Sequence, residues 1–390
     1  ALGYVQYSID TQKDSHKETA DKKVLENKYY TIEVEENGSL TIVDKANNVT
    51  YKNQGILVEN GDDGDSFNYS PPRKDMEVFS NESKCTVKIS GSDIYDQAEI
   101  HFDMVVPADL DERAEGKVSV TMLVDMTVAL RKDSKVIDFN VKVDNKGLSH
   151  RLCVLFDSQI VSAFNYADQQ FGLIKRPNYY EKEMKLYMES MNNKTEKKAG
   201  IQELANWAND QSTWQEPPIS IEPTQSYVSL TDGKTGIAVI PQGVREYEVL
   251  DDSKIRLTLF RTYGFMGKEN LIYRPGRASG ERIIETPAAQ LLKEMEFNFG
   301  FTSYAGDIND SDIDTLAKQY NTNLEVYTYA EFLNGRLIFS QREIEGQNAK
   351  IHSLFETEGN LVVSAVKKAE EDDGYIIRLY NCLLYTSPSP

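Results

Sequence analysis

Residues 118–130 read VSVTMLVDMTVAL. Every even position, from Val118 to Leu130, is apolar, and most odd positions are polar. A period of two over this length describes a strand with one buried face. The turn RKDSK follows, and Ile137, Phe139, Val141 and Val143 then alternate with Asp138, Asn140, Lys142 and Asp144. The two runs therefore read as a hairpin.

The same reading extends outward. YYTIEV and SLTIV flank Asn37-Gly38, a pair that supplies the positive φ of a tight hairpin turn. Further strands are expected at 51–59, 84–90, 97–106, 151–161, 226–231, 236–240, 254–261, 294–301 and 374–380. Helical patterns are few. SDIDTLAKQY at 311–320 offers Ser311 as N-cap, with Ile313, Leu316, Ala317 and Tyr320 on one face. A second helix is expected within KKAGIQELANWAND, where Gly200 weakens the pattern. Many closely spaced strands with so few helices predict an all-β protein built on a large antiparallel sandwich. The sandwich domain is expected at 24–305, followed by a connecting segment with a short helix at 306–325 and a partial smaller β domain at 326–381. Residues 1–23 read as a linker from upstream domains, and 382–390 as a tail foreign to what precedes it, so a chain cut at both ends is expected.

The 390 residues carry a formal net charge of −19. That charge argues against nucleic acid and anionic membrane surfaces as partners. The longest apolar runs, CVLF and GIAVI, are far too short for a membrane span. Cys85, Cys153 and Cys382 form no spacing motif, and an odd count fits a reducing compartment and so a cytoplasmic location. A secretory leader upstream stays open, because position 1 is Ala within an apolar stretch.

No self-sufficient active site emerges. His16, His101, His150 and His352 lie far apart with no metal-ligand spacing, so no zinc site is expected within the chain. An EF-hand count from Asp63 fails, since Phe67, Asn68 and Lys74 fall where a ligand, a glycine and a glutamate belong. There is no G-x-S-x-G elbow and no phosphate-binding glycine pattern. Two stretches have instead the composition of a sugar-facing loop: NGDDGDSFNYSPP at 60–72 and FRTYGFMGKENLIYRPGR at 260–277. Carboxylates and arginines hold hydroxyls through charge-assisted hydrogen bonds, and aromatic rings offer flat faces to a pyranose. Asp65, Phe67 and Tyr69 would point one way if their segment is extended. Turn chemistry and hairpin packing are the favoured reading of both stretches from the residues alone, and a looser calcium loop is a third alternative at 60–72.

VLENKYYTIEVEENGSLTIVDKANNVTY, GDDGDSFNYSPP, DNKGLSHRLCVLF, FGLIKRP, EPTQSYVSLTDGKTGIAVIPQGVREYEV, LTLFRTYGFMGKENLIYRPGRASG, ETPAAQ and SAVKKAEEDDGYIIRLYN follow one another over residues 24–381. In this order they resemble the C-terminal β region of glycoside hydrolase family 38, the α-mannosidases, and within it the bacterial branch that includes mannosylglycerate hydrolases. The resemblance implies a mutarotase-like super-sandwich attached to a retaining, zinc-dependent enzyme that hydrolyses terminal α-mannosyl linkages. The catalytic and zinc-binding residues would lie in an α/β barrel before position 1, followed by a helical domain. This chain would then hold no catalytic residue and no metal, pack on those domains as partners, and line the rim of the α-mannoside site. The rim residues it implies are Asp65, Phe67 and Tyr69, with Arg274 and Arg277 as a second contact. Phe67 stands where the family places an aromatic hydroxyl, so Tyr69 or Asp65 would have to supply the polar contact. Cys153, in SHRLC, stands where the family favours arginine and would cost a structural ion pair. Two rivals remain: a stand-alone carbohydrate-binding module, and a mutarotase-like epimerase that would need His101 or His150 beside a carboxylate on the sugar.

Overall fold

The computed structural model describes residues 3–5, 19–20, 24–194, 216–274, 283–324, 351–353, 355 and 361–381. The hairpin that opened the sequence reading is its centre. Tyr95–Val106 pairs with Val120–Arg131 along twelve residues, from Tyr95↔Arg131 to Val106↔Val120. Val120–Arg131 then pairs with Ile137–Asp144, placing Met126 opposite Val141. Met122, Val124, Met126, Val128 and Leu130 are completely buried, as their alternation requires. Val118 lies before the strand and is exposed.

These strands belong to a ten-stranded antiparallel sheet whose centre also holds Glu294–Ala305 and Thr235–Gln242. A six-stranded sheet runs Glu222–Pro223, Glu246–Leu250, Lys254–Arg261, His150–Asp157, Ile56–Gly61, Val78–Phe79. A four-stranded sheet, Val24–Glu26 to Val49–Gln54, adds a third wall. Inward-facing side chains of all three merge into one core. At its middle the Phe156 ring stacks on Phe301 at 5.4 Å and meets Phe139 edge-on at 5.4 Å, while Phe139 stacks on Phe299 at 5.2 Å. Phe156 belongs to the six-stranded sheet and the other three to the ten-stranded sheet, so the rings join the layers. A smaller cluster on the other face of the large sheet packs Ala238, Ile240 and Tyr304 under Ile313 and Ala317.

The Asn37-Gly38 turn forms as expected. Gly38 has φ +81° and lies against the Phe102 ring, so that a Cβ there would come within 2.5 Å of ring carbon Cε1. The strand expected at 51–59 divides at Gly55, φ +72°, and its halves enter different sheets. The strand expected at 151–161 stops at Asp157, before Gln159 at φ +55°. The helix at Ile313–Asn321 begins after a 3-10 turn at Ile308–Asp310, and its N-cap position is Asp312, not Ser311. The segment 197–210 lies outside the described residues, and a helix is present before it at Glu181–Lys194. Near the C-terminus, Leu361–Lys368 and Tyr375–Asn381 form a hairpin, with the Tyr380 ring edge-on to Phe171 at 5.9 Å. Gly3–Val5 pairs with Ile351–Ser353. Among the described residues no helix is long and apolar enough to cross a membrane.

Replacing Phe156 by Ala removes the ring that contacts three others across the core. The expected loss is about 3–5 kcal/mol, read as a lower urea midpoint with an unchanged slope.

Candidate functional site

The loop after Ile56–Gly61 is held by its own aspartates. The Asp62 N–H donates to the Ser149 carbonyl at 2.9 Å, and the Gly64 N–H donates back to Asp62 Oδ1 at 2.8 Å. Asp65 Oδ1 accepts from the N–H groups of Phe67 at 2.9 Å and Asn68 at 3.0 Å. Short aspartates that bind the backbone two and three residues on make tight turns. Gly64 has no alternative here: a Cβ would lie 2.1 Å from the Asn68 carbonyl oxygen and 2.8 Å from Arg261 Nη2.

The segment 261–274 closes over these turns. Arg261 donates to both oxygens of Asp62, through Nε at 2.6 Å and Nη2 at 3.2 Å, and Nη2 also reaches the carbonyls of Asp65 and Asn68, each at 2.9 Å. Arg274 pairs with Asp65 through Nη2 and donates to the Lys268 carbonyl at 2.9 Å. The Lys268 N–H donates to Asp65 Oδ2 at 2.9 Å, and its ammonium pairs with Asp63. Asp62, Asp65 and Arg274 are all buried.

The two buried aspartates titrate in opposite directions. Burial pushes the Asp62 carboxyl up, and Arg261 with one backbone donor does not fully offset it. Burial acts on Asp65 in the same sense, but Arg274 and the N–H groups of Asn68 and Phe67 outweigh it and hold its carboxyl below the usual range. Burial is the leading influence on both carboxyls; it prevails at Asp62 and is outweighed at Asp65.

Tyr69 lies beneath the loop with the Arg151 guanidinium 4.0 Å over its ring and Tyr273 edge-on at 5.9 Å. Its hydroxyl accepts from Asn60 Nδ2 at 3.2 Å, and burial pushes that hydroxyl up. Asn60 Oδ1 in turn accepts from Arg151 at 3.0 Å and Arg256 at 2.6 Å, while Arg151 pairs with Glu248 at 2.8 Å. Cys153, fully buried, sits on this face beside Thr258.

Asp65, Phe67 and Tyr69 therefore do not point one way. The segment turns at Asp65 instead of extending, so Asp65 and Tyr69 are buried and Phe67 is 58% exposed. Arg274 joins Asp65 in the interior, and Arg277 lies outside the described residues. The sequence reading placed Arg261 in a second, separate stretch and missed Asp62, Lys268 and Arg151; the structure joins all four to the loop. A signal was available in Arg151, a charged residue within an otherwise apolar buried strand.

Among the described residues no group of three or more His, Cys, Asp or Glu is placed to hold a metal ion. His101 faces solvent on the large sheet between Asp125 at 2.7 Å and Asp103 at 3.2 Å, and Asp125 leads in raising it. His150 is fully buried in the other sheet, so the two histidines do not converge on one sugar site.

The family model described as the glycosyl hydrolases family 38 C-terminal domain matches residues 25–265, more than half of the chain. This chain belongs to glycoside hydrolase family 38. A second model of the family, its C-terminal beta sandwich domain, matches residues 360–384. A Halalkalibacterium halodurans protein provisionally named a mannosylglycerate hydrolase is 24% identical over an alignment of 377 residues that covers 92% of this chain and 36% of that one. The fold is shared with a solved α-mannosidase of Enterococcus faecalis V583, with TM-score 0.70 and 22% identity over 92% of this chain and 36% of that one. A second solved family 38 protein from Enterococcus faecalis gives TM-score 0.68 and 21% identity over 92% of this chain and 38% of that one. This family 38 chain thus spans little more than a third of the length of each relative.

Asp65→Asn removes a buried charge from Arg274 and is expected to destabilise by about 3–5 kcal/mol at pH 7. The sign with pH follows from its depressed folded value. Its contribution is complete above the unfolded value, about 3.9, and is lost as pH falls through the folded one. The stability gap between wild type and Asp65→Asn should therefore narrow in acid, measured by urea unfolding from pH 7 down to pH 3. Gly64→Ala should disrupt the turn, because its Cβ would clash with the Asn68 carbonyl and with the Asp62–Arg261 pair, seen as a loss of at least about 2 kcal/mol at pH 7 by urea unfolding.

Proposed function

We propose that this chain is the C-terminal β portion of a retaining, zinc-dependent α-mannosidase that hydrolyses terminal α-mannosyl linkages. It supports a catalytic barrel that precedes it and contributes the loop at 62–69 to the rim of the sugar site. The observation that carries this reading is the family match over 25–265, together with the span of about a third of longer relatives. A second feature supports it. Phe67, Met266, Ile272, Ile283 and Ile284 are exposed, and they belong to the loop, to the segment 261–274 that closes over it and to the short strand paired with Met266. Apolar groups gathered at one end are the character of a surface that another domain covers. The partners proposed are the enzyme's own barrel and helical domains and an α-mannoside, and the location proposed is the cytoplasm.

In such an enzyme a carboxylate displaces the aglycone at the anomeric carbon and a second carboxyl acts as acid and base. Zinc, when bound in the barrel, orients sugar hydroxyls and acts as a Lewis acid. The residues of this chain do a different task. Asp62, Asp65, Arg261 and Arg274 fix the loop, and Phe67 presents an apolar ring to the sugar or to its aglycone.

The 390-residue protein alone is expected to give no turnover of an aryl α-mannoside above background. In the full-length gene product, Phe67→Ala should raise KM about tenfold, equal to about 1.4 kcal/mol, with less effect on kcat. Turnover by the isolated chain at an enzymatic rate would refute the division of labour. Mannose affinity of the isolated chain by calorimetry would favour the stand-alone binding module.

A further inference from the structure

We infer that Glu216 makes the rim of the sugar site a charge filter that disfavours an aglycone carrying a carboxylate or a phosphate. The inference rests on the proposed reading, in which the loop at 62–69 lines that rim. Glu216 belongs to a connection between two sheet edges. Gly172–Pro177 is an edge strand of the ten-stranded sheet and Glu222–Pro223 an edge strand of the six-stranded sheet. The chain between them includes the helix Glu181–Lys194 and ends with residues 216–221. There it meets the loop: Asn68 Nδ2 donates to Glu216 Oε2 at 3.4 Å. Pro217 and Pro218 follow Glu216 at once and restrict its backbone.

Asn68 is a fixed partner. Its N–H donates to Asp65 Oδ1 at 3.0 Å, and its carbonyl accepts from the Asp65 N–H at 3.0 Å and from Arg261 Nη2 at 2.9 Å. Its side-chain oxygen accepts from Arg274 Nη1. A guanidinium has donors only, so the amide cannot turn its nitrogen that way and its N–H groups face Glu216. Phe67, the ring proposed to meet the ligand, is the neighbouring residue and is exposed. Asn68 therefore holds the Glu216 carboxylate beside that ring.

The charges of residues 62–69 cancel in pairs. Asp62 meets Arg261, Asp63 meets Lys268 and Asp65 meets Arg274. Glu216 is exposed, its partner is a neutral amide, and no lysine or arginine among the described residues pairs with it. Its charge is felt nearby: burial first, and the Glu216 carboxylate second, push up the Tyr187 hydroxyl on the helix. These groups leave one negative charge in excess at the rim, in a chain whose formal net charge is −19. A second negative charge brought to Phe67 is repelled, whereas a neutral aglycone is not. Glu216 is thus a specificity residue, and the class of substrate it admits is an α-mannoside of an uncharged aglycone.

The test uses the full-length gene product and two aryl α-mannosides that differ in charge with little change of shape, the para-carboxyphenyl and the para-carbamoylphenyl mannoside. Glu216→Gln should raise the ratio of kcat/KM for the anionic substrate to that for the neutral one about threefold to tenfold at an ionic strength of about 0.01 M. The gain should collapse at about 1 M salt, where screening acts within about 3 Å. Glu216→Asp keeps the charge and should leave the ratio near that of the wild type. A ratio that Glu216→Gln does not move, a gain that survives high salt, or an equal gain in Glu216→Asp overturns the filter. The placement is tested without a sugar in the 390-residue protein, where the Asn68 side-chain amide protons should shift on Glu216→Gln. Amide protons that ignore the substitution overturn the placement. Turnover of neither mannoside overturns the mannosidase reading and the filter with it, whereas turnover with an unmoved ratio overturns the filter alone.

Discussion

Phe156 stands between two sheets and touches Phe139, Phe299 and Phe301, and the rest of the molecule is arranged around that contact. Each ring sits on a strand whose inward residues recur every second position. A slip of one residue would turn the entire inward set of a strand to solvent, so the core fixes the register of every pairing around it. The register in turn fixes where strands end. Ile56–Gly61, His150–Asp157 and Lys254–Arg261 are neighbours in the six-stranded sheet, with Arg151 opposite both Asn60 and Arg261. The loops that leave Gly61 and Arg261 consequently rise side by side, and the loop that precedes His150 joins them. The candidate site is a consequence of core packing on the same strands that lead into it.

The loop itself is built from buried charge. Replacing such pairs with apolar groups often costs nothing in stability, so their value lies in the single geometry they permit. Asp65 receives three backbone N–H groups and a guanidinium, which leaves one way for residues 65–68 and 268–274 to fit together. Asp62 receives a bidentate arginine and one backbone donor, and stays nearer to neutrality. The result is a rigid loop before any ligand arrives.

The strands were legible where period two was long and one face was apolar, as in Val120–Arg131 and Ile137–Asp144. The Phe164–Gln169 and Gly172–Pro177 hairpin was not, because its strands are short and carry Asp168, Gln169, Lys175 and Arg176. The break at Gly55 was passed over although the polar run Lys52-Asn53-Gln54 precedes it, since Tyr51 and Leu57 on either side are both apolar and enter one core from different sheets. The candidate loop was found by composition, but its geometry was not. Alternation predicts a common direction only for extended backbone, and nothing local in GDDGDSFNY says that Asp65 binds the N–H groups of Phe67 and Asn68 and curls the chain. Its partners lie about 200 residues on, at Arg261, Lys268 and Arg274, where only the sheet register brings them.

That enclosure has a consequence for recognition. Both oxygens of Asp65, both oxygens of Asp62 and most donors of Arg261 and Arg274 are engaged within the protein. A group already holding several partners gains little by exchanging one for a sugar hydroxyl, because the hydrogen bond made replaces one broken. The loop thus offers outward a fixed shape and the ring of Phe67, which has no hydroxyl to donate. On the proposed reading, affinity from this side of the site comes from apolar contact with a C–H face. Hydrogen-bond discrimination among sugars then falls to the domains that this surface would meet.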